Sequence, residues 1–120
     1  MKPSHGERSD STKGRRVKYA LQYQKALDNN PEDSLALFRL ALLLMKRQQY
    51  ETAAGHLRRA VELTPERAPR SVRLSMRLSL ADSLRALGQR DEARQVAADA
   101  LRLDPDSAAA QHLLQELSTP

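Results

Sequence analysis

The sequence contains no cysteine and no tryptophan, and its 120 residues include only one Phe and three Tyr. Without cysteine, disulfide bonds and thiolate chemistry are excluded, and the three widely separated histidines make a zinc site improbable. With so few aromatic residues, a hydrophobic core must be built from Leu and Ala. Small side chains of this kind suit helices that pack closely together, so the composition favours an all-helical protein.

Long apolar segments are also missing. The N-terminal stretch MKPSHGERSDSTKGRR has no apolar core, so it does not have the pattern of a secretory signal. The longest apolar run is interrupted by Arg39 and is too short to cross a bilayer. We therefore expect a cytoplasmic protein without a membrane partner.

Positive charge is concentrated at one end of the chain. The net charge is +5, and residues 1–18 hold six basic residues (Lys2, Arg8, Lys13, Arg15, Arg16, Lys18) against Glu7 and Asp10. This segment thus carries +4, which leaves 5 − 4 = +1 for residues 19–120. The composition predicts a disordered basic tail over residues 1–16, followed by a nearly neutral folded body.

Three similar segments divide the body of the chain. KALDNNP ends at Pro31, RAVELTP at Pro65 and DALRLDP at Pro105, with spacings of 65 − 31 = 34 and 105 − 65 = 40 residues. Apolar residues before each proline recur at helical spacing. A period near 34 residues with two helices per unit is typical of a helical solenoid.

An alignment of the units makes the pattern more specific. The first unit gives Leu37-x2-Leu40-Ala41-x2-Leu44, then Ala53-x3-Leu57, then Pro65; the second gives Arg77-x2-Leu80-Ala81-x2-Leu84, then Ala93-x3-Ala97, then Pro105. The pattern resembles the tetratricopeptide repeat, W-x2-L-G-x2-Y, then A-x3-F, then P. The resemblance covers residues 19–120 and implies an all-α, right-handed solenoid of antiparallel helix pairs. Arg77 and Ala97 replace residues that are usually large and apolar, which predicts looser packing in the second unit.

The alignment also predicts how the domain, residues 17–120, is divided. A half repeat (17–31) with a helix from Val17 to Asn29 precedes the first full repeat (34–65). The second full repeat (69–105) has a longer first helix, from Pro69 to Leu87, because Pro is tolerated in a first helical turn. A capping helix (106–118) completes about six helices, with polar Gln111, Gln115 and Ser118 at positions that are apolar elsewhere.

The sequence offers no constellation for catalysis. His5, His56 and His112 have no suitably spaced partners, and we interpret the last two as surface residues. There is no nucleophile elbow and no Gly-rich phosphate loop. The acidic pair Asp91 and Glu92 opens a helix, where carboxylates favour the positive end of the dipole. We therefore expect no enzyme activity, no metal and no cofactor.

The resemblance implies that a peptide or another protein binds in a concave groove lined by the first helix of each repeat. On the first such helix, four apolar residues share a face within about 80° at 100° per residue. In the aligned register the predicted groove contains Leu35, Phe38, Leu42, Met45, Leu78 and Asp82. Two interpretations stay open: neighbouring helices cover this patch, or it takes a partner helix, a peptide or another copy of the chain.

A second candidate surface is an arginine stripe, Arg70, Arg73 and Arg77, together with Arg67. A solvated helix face is the simpler explanation, and a docking surface for an acidic partner is the alternative. The carboxylate-clamp members of the family, which hold chaperone C-termini, use Lys and Asn on the groove face. Here Phe38, Leu42 and Asp82 occupy that face, so this sequence lacks the clamp.

The pattern as a whole predicts a non-catalytic protein–protein interaction module, an adaptor or scaffold. One alternative is a nucleic-acid-associated protein that uses the basic tail and the arginine stripe. The nearly neutral body and the scarcity of aromatic residues for base stacking argue against nucleic acid. Another alternative is a secretion-type chaperone that shields a hydrophobic segment of its partner.

Overall fold

The fold is known from a computed structural model, which describes the backbone of residues 4–119 and the side chains of Arg15 and residues 17–119. Six helices follow one another: α1 (Ser4–Asn29), α2 (Ser34–Lys46), α3 (Tyr50–Leu63), α4 (Arg70–Ala86), α5 (Arg90–Leu103) and α6 (Ala108–Ser118). The described part of the chain contains no strand. The predicted all-α class and the number of helices are confirmed.

Local chemistry explains where the helices begin and end. The Asp33 side chain accepts a hydrogen bond from the Ala36 amide at 3.0 Å and caps α2, and Ser107 does the same for Ala110 of α6 at 3.1 Å. Such caps satisfy one of the free amides at a helix N-terminus. Pro31, Pro65 and Pro105 each follow the end of a helix, where an amide donor is no longer needed.

The two turns that join the helices of a full repeat have the same backbone but different residues. Gln48 lies between α2 and α3 with φ +62°, and Gly88 lies 88 − 48 = 40 residues later, between α4 and α5, with φ +79°. In both turns the next amide donates to a carbonyl near the helix end, Gln49 to Leu44 and Gln89 to Leu84, each at 2.9 Å. Glycine adopts this left-handed conformation without the steric cost that a Cβ atom brings.

The helices form two layers. Helices α2 and α3, and α4 and α5, pack as hairpins, while α3 with α4 and α5 with α6 join successive repeats. Helices α2, α4 and α6 also contact one another in that order and make up one layer. The described residues of α1 pack against α2. The layer of α2, α4 and α6 corresponds to the first helices of the repeats, on which the predicted groove lies.

Small residues occupy the places where the helices cross. Ala41, Ala53, Ala81 and Ala93 are all fully buried, as the repeat alignment requires. Larger side chains, including Leu57 and Leu84, fill the spaces between them. A second cluster joins α1 to α4 through Leu27, Ala36, Leu37, Leu40, Ala60 and Met76. Met76 is a fully buried member of this cluster that the repeat alignment does not identify. Its sulfur lies 3.3 Å from the Thr64 hydroxyl.

The first helix is longer than predicted. The sequence predicts a disordered tail over residues 1–16 and a helix from Val17, but α1 begins at Ser4, and residues 1–3 lie outside the described residues. The helix propensities of this segment do not explain its start, because Gly6, Gly14 and three serines lie between Ser4 and Arg16. The structure thus begins α1 before Val17. The disordered tail and the effect of removing residues 1–16 on stability stay predictions.

The bounds of α4 can be compared directly with those expected of the long helix, and the division into repeats stays a prediction. Helix α4 has Pro69 and Leu87 as its flanking cap residues, which are the ends that the sequence predicts for the long helix. Helix α6 buries Ala110, Leu113 and Leu117 and exposes the polar residues Gln111, Gln115 and Ser118. Helix α6 therefore has one apolar face and one polar face.

Candidate functional site

The residues that face the predicted groove occur in rows of equivalent positions along α2, α4 and α6. One row is Phe38, Leu78 and His112, and the next is Leu42, Asp82 and Glu116. The spacing is 78 − 38 = 82 − 42 = 40 from α2 to α4, and 112 − 78 = 116 − 82 = 34 from α4 to α6. A third row holds Met45 and Arg85, also 40 residues apart. In the first row the side chain is apolar on α2 and α4 and polar on α6. In the other two rows it is apolar on α2 and already charged on α4.

The α2 end of the groove is apolar and partly open to water. Leu35 is 43% exposed and Leu42 is 36% exposed, whereas Phe38 and Met45 are half-buried against the core. Among the side chains that the structure describes, the exposed large hydrophobic residues all lie in α1 and α2: Val17, Tyr19, Leu21, Leu35 and Leu42. Neighbouring helices thus cover Phe38 and Met45 in part and leave Leu35 and Leu42 accessible.

The other end of the groove is a cavity of about 760 Å³ between α4 and α6. Helix α4 contributes Leu78, Asp82 and Arg85, and α6 contributes His112 and Glu116. Ala108, Ala109 and Leu113 complete the apolar part of its wall. The cavity therefore combines apolar walls with a small group of charged side chains.

The charged side chains of this cavity are linked through one guanidinium group. Arg85 Nη1 donates to Glu116 Oε1 at 2.8 Å, and Nη2 lies 3.3 Å from Asp82 Oδ1. His112 Nδ1 is 3.7 Å from the same Glu116 oxygen. Burial raises the pKa of Asp82 above its ordinary value, Arg85 opposes that rise, and the Glu116 charge adds to it. The two carboxylates and the one guanidinium together have a formal charge of −2 + 1 = −1.

The structure brings together the predicted residues Leu78 and Asp82, but it adds three residues that the sequence analysis missed. Arg85, His112 and Glu116 share their cavity. The polar residues of α6 predict a capping helix, and a cap gives no reason to extend the groove onto it. The spacing of 34 residues from Asp82 to Glu116 equals the repeat period and was the available signal.

The arginine stripe does not form one exposed row. Arg70 is exposed, but Arg73 and Arg77 are half-buried in a cleft of about 320 Å³ against Asp99, Arg102 and Leu103 of α5. Arg77 Nη1 donates to the Arg73 carbonyl at 3.0 Å. Burial lowers the pKa of Arg77, nearby Arg73 lowers it further, and Asp99 opposes the change. The expectation that all three arginines are exposed is wrong, because Arg73 and Arg77 line the cleft between α4 and α5 and are half-buried there.

The histidines differ in their surroundings. His112 is exposed, whereas His56 is half-buried and burial lowers its pKa, so the interpretation of His56 as an ordinary surface residue is wrong. The His5 side chain lies outside the described residues.

Over the part of the chain that the structure describes, no group of three or more His, Asp or Glu side chains is placed to hold a metal ion. Within residues 4–119, none of the helices combines the length and apolar character that crossing a bilayer requires.

Comparisons with known proteins agree with this architecture. The family model described as the tetratricopeptide repeat matches residues 32–106. The second such domain of human RPAP3, solved in complex with the HSP70 peptide SGPTIEEVD, has a TM-score of 0.76 at 18% identity and covers 98% of this chain and 92% of its own. The first such domain of Spaghetti (RPAP3), bound to the HSP90 peptide SRMEEVD, has the same TM-score and identity, over 95% and 86% of the two chains. No curated protein matches the sequence significantly. At this identity the structural likeness concerns the fold alone.

Proposed function

Because the chain belongs to the tetratricopeptide repeat family, we propose that it is a non-catalytic protein–protein interaction module with the role of an adaptor or scaffold. It binds a peptide or a helix of a partner protein in the groove formed by α2, α4 and α6. Two structural neighbours were solved with short peptides bound, which supports the same class of ligand here.

The observation that carries this proposal is the open apolar surface of α2. Leu35 and Leu42 are exposed beside half-buried Phe38 and Met45, on the layer where the repeats align their first helices. Clustered apolar side chains that stay accessible in a folded chain mark interaction surfaces more often than single exposed residues do. A partner side chain that packs onto Leu35 and Leu42 would remove this apolar area from water, which is favourable.

The structure weakens the alternative that the arginine stripe binds nucleic acid. Arg73 and Arg77 are half-buried against α5, and Asp99 lies in the same cleft and is paired with Arg102. Phosphate binding needs accessible basic side chains that are free to replace counterions. The interaction-module proposal is therefore the one that we develop.

The test replaces exposed groove residues with charges that cancel. Leu35→Glu with Leu42→Lys suits this purpose better than a change at Phe38, because Phe38 packs against both core clusters. The matched control, Val17→Glu with Leu21→Lys, makes the same chemical changes at exposed positions of α1. A random dodecapeptide library displayed on phage supplies the probes, and circular dichroism confirms that each variant is folded.

We expect the native protein and the α1 control to bind the selected peptides equally, and the groove variant to bind them at least tenfold more weakly. A folded groove variant that retains full binding would place the site elsewhere. A groove variant that unfolds would show that the patch belongs to the core, since an unpaired charge in a core is very costly.

A further inference from the structure

The cavity between α4 and α6 presents an excess of hydrogen-bond acceptors. Asp82 and Glu116 each offer two carboxylate oxygens, and Arg85 contacts one oxygen of each. The second oxygen of each carboxylate is left for another donor. Because Arg85 already serves both acids, an additional carboxylate would have to compete with them for the same guanidinium.

The environment of Asp82 adds an energetic reason for a positive ligand. Burial disfavours the charged form of Asp82, as its raised pKa indicates, and Glu116 is near enough to disfavour it further. An incoming cation would offset both effects at once. An incoming anion would increase the repulsion.

The walls of the cavity suit the stem of a long basic side chain. Leu78 and Leu113 lie on opposite helices, with Ala108 and Ala109 beside them. Lys and Arg place their methylene groups along apolar surface while the charged end reaches polar partners. A volume of about 760 Å³ is ample for one such side chain and the backbone that carries it.

On these grounds we propose that the cavity between α4 and α6 selects a basic residue, so that the partner is a peptide segment with a Lys or Arg in this cavity and apolar residues on α2. The inference rests on the proposed function and specifies the chemistry of its ligand. It also distinguishes this chain from its structural neighbours, because the peptides printed for them, SGPTIEEVD and SRMEEVD, carry acidic residues at their C-terminal ends.

The first experiment uses the same dodecapeptide library on the native protein. We expect Lys and Arg to be enriched at least threefold over Asp and Glu at one position of the selected peptides. One selected peptide is then synthesised with Lys, norleucine or Glu at that position, and its affinity is measured by fluorescence anisotropy. The norleucine form should bind about tenfold more weakly than the Lys form, the Glu form more weakly still, and the preference should fall as salt is added. The peptide SRMEEVD should bind at least tenfold more weakly than its analogue with Lys in place of the three acidic residues.

Three variants separate the charge of the cavity from the charge of the whole protein. Asp82→Asn with Glu116→Gln should abolish the difference between the Lys and norleucine peptides. Glu51→Gln with Glu62→Gln changes the net charge equally at exposed positions of α3, so it should keep the difference. Arg85→Gln makes the cavity more negative and should enlarge the preference for Lys, which keeps the test valid even if the double variant does not fold.

The outcomes are distinguishable. Peptides that bind the groove without a preference for basic residues, or with a preference for acidic ones, would overturn this inference and leave the proposed function standing. A weaker Lys preference in Arg85→Gln would overturn it as well. A library that yields no binding peptide would overturn the proposed function, and this inference with it.

Discussion

The two full repeats agree at the positions where helices cross and differ at the positions that face the groove. Ala41 and Ala81, and Ala53 and Ala93, are paired across the repeats and are all fully buried. By contrast, Leu42 of the first repeat corresponds to Asp82 of the second, and Met45 corresponds to Arg85.

The difference shows that the residues that pack the helices and the residues that face the groove lie on separate faces of the same helices. A larger side chain at a crossing would push two backbones apart, so the alanines cannot vary without cost. A groove residue has free space on one side, and the same backbone accepts Leu or Asp there. Each repeat can therefore change its groove residues without changing its packing.

The largest expected effect tests whether the repeats are interchangeable inside the core. Leu57 and Ala97 occupy equivalent places in α3 and α5, and both are fully buried. Leu57→Ala should destabilise the protein by about 2–5 kcal/mol because it leaves a cavity, and Ala97→Leu by about 1–3 kcal/mol because it overpacks α5. Urea denaturation measures both values.

The same pair tests the sequence-based expectation that the second repeat packs less tightly. If Ala97→Leu stabilised the protein, space would exist around Ala97, and the looser packing predicted from the sequence would be correct. A small effect of Leu57→Ala would mean that the core around α3 can collapse into the space left behind.

The two hairpin turns provide the next comparison. Gly88 has φ +79° and open space around its Cβ position, so Gly88→Ala should destabilise by about 1–2 kcal/mol through backbone strain alone. Gln48 has φ +62° in the equivalent turn, so Gln48→Gly should stabilise by up to about 1 kcal/mol. Thermal denaturation should therefore shift in opposite directions for the two variants, and shifts of the same sign would contradict the equivalence of the turns.

The smallest expected effect concerns Asp82, whose ionised carboxylate lowers the stability of the folded protein. Its pKa in the folded protein lies above the ordinary value of 3.8, so the folded state holds the proton more strongly than the unfolded state does. The ionised form consequently lowers stability above the folded pKa, and this penalty disappears below pH 3.8. Asp82→Asn should be slightly more stable than the native protein at pH 7 and no more stable at pH 3, whereas Glu62→Gln should show no such gain. Greater stability of native Asp82 at pH 7 would contradict the pKa direction.

Much of the fold follows from the sequence because helical packing imposes strict spacing. The alanines at the crossings and the prolines after the helices identify the repeats, and the structure buries or places these residues as predicted. The start of α1 could not be predicted from composition, because the Gly and Ser residues before Val17 disfavour a helix. Met76 corresponds to Ala36 of α2, 76 − 36 = 40 residues earlier, and both are buried. It was missed because this position is not one of those that define the repeat pattern.

The candidate site was less predictable. The repeat spacing predicted that Leu78 and Asp82 lie on the groove layer. The ion pair between Arg85 and Glu116, however, joins two helices and residues 116 − 85 = 31 positions apart. Whether such an ion pair forms depends on how far the two side chains reach. Periodicity predicts only the helix face on which each residue lies. The same limitation applies to Arg73 and Arg77, since the sequence shows that they share a side of α4 but not that α5 lies against that side.

The packing of α1 has a consequence for local unfolding. Helices α3 and α5 each pack between two others, whereas the described residues of α1 pack against α2. Where stability comes from nearest-neighbour interfaces, a helix held by one interface opens at a lower free energy than a helix held by two. When α1 detaches, Ala36 and Leu37 lose the cover that Leu27 and Tyr23 help to provide. Local unfolding at this end would thus widen the apolar surface of α2 beside the groove, and a ligand that used the added surface would bind in competition with the protein's own first helix.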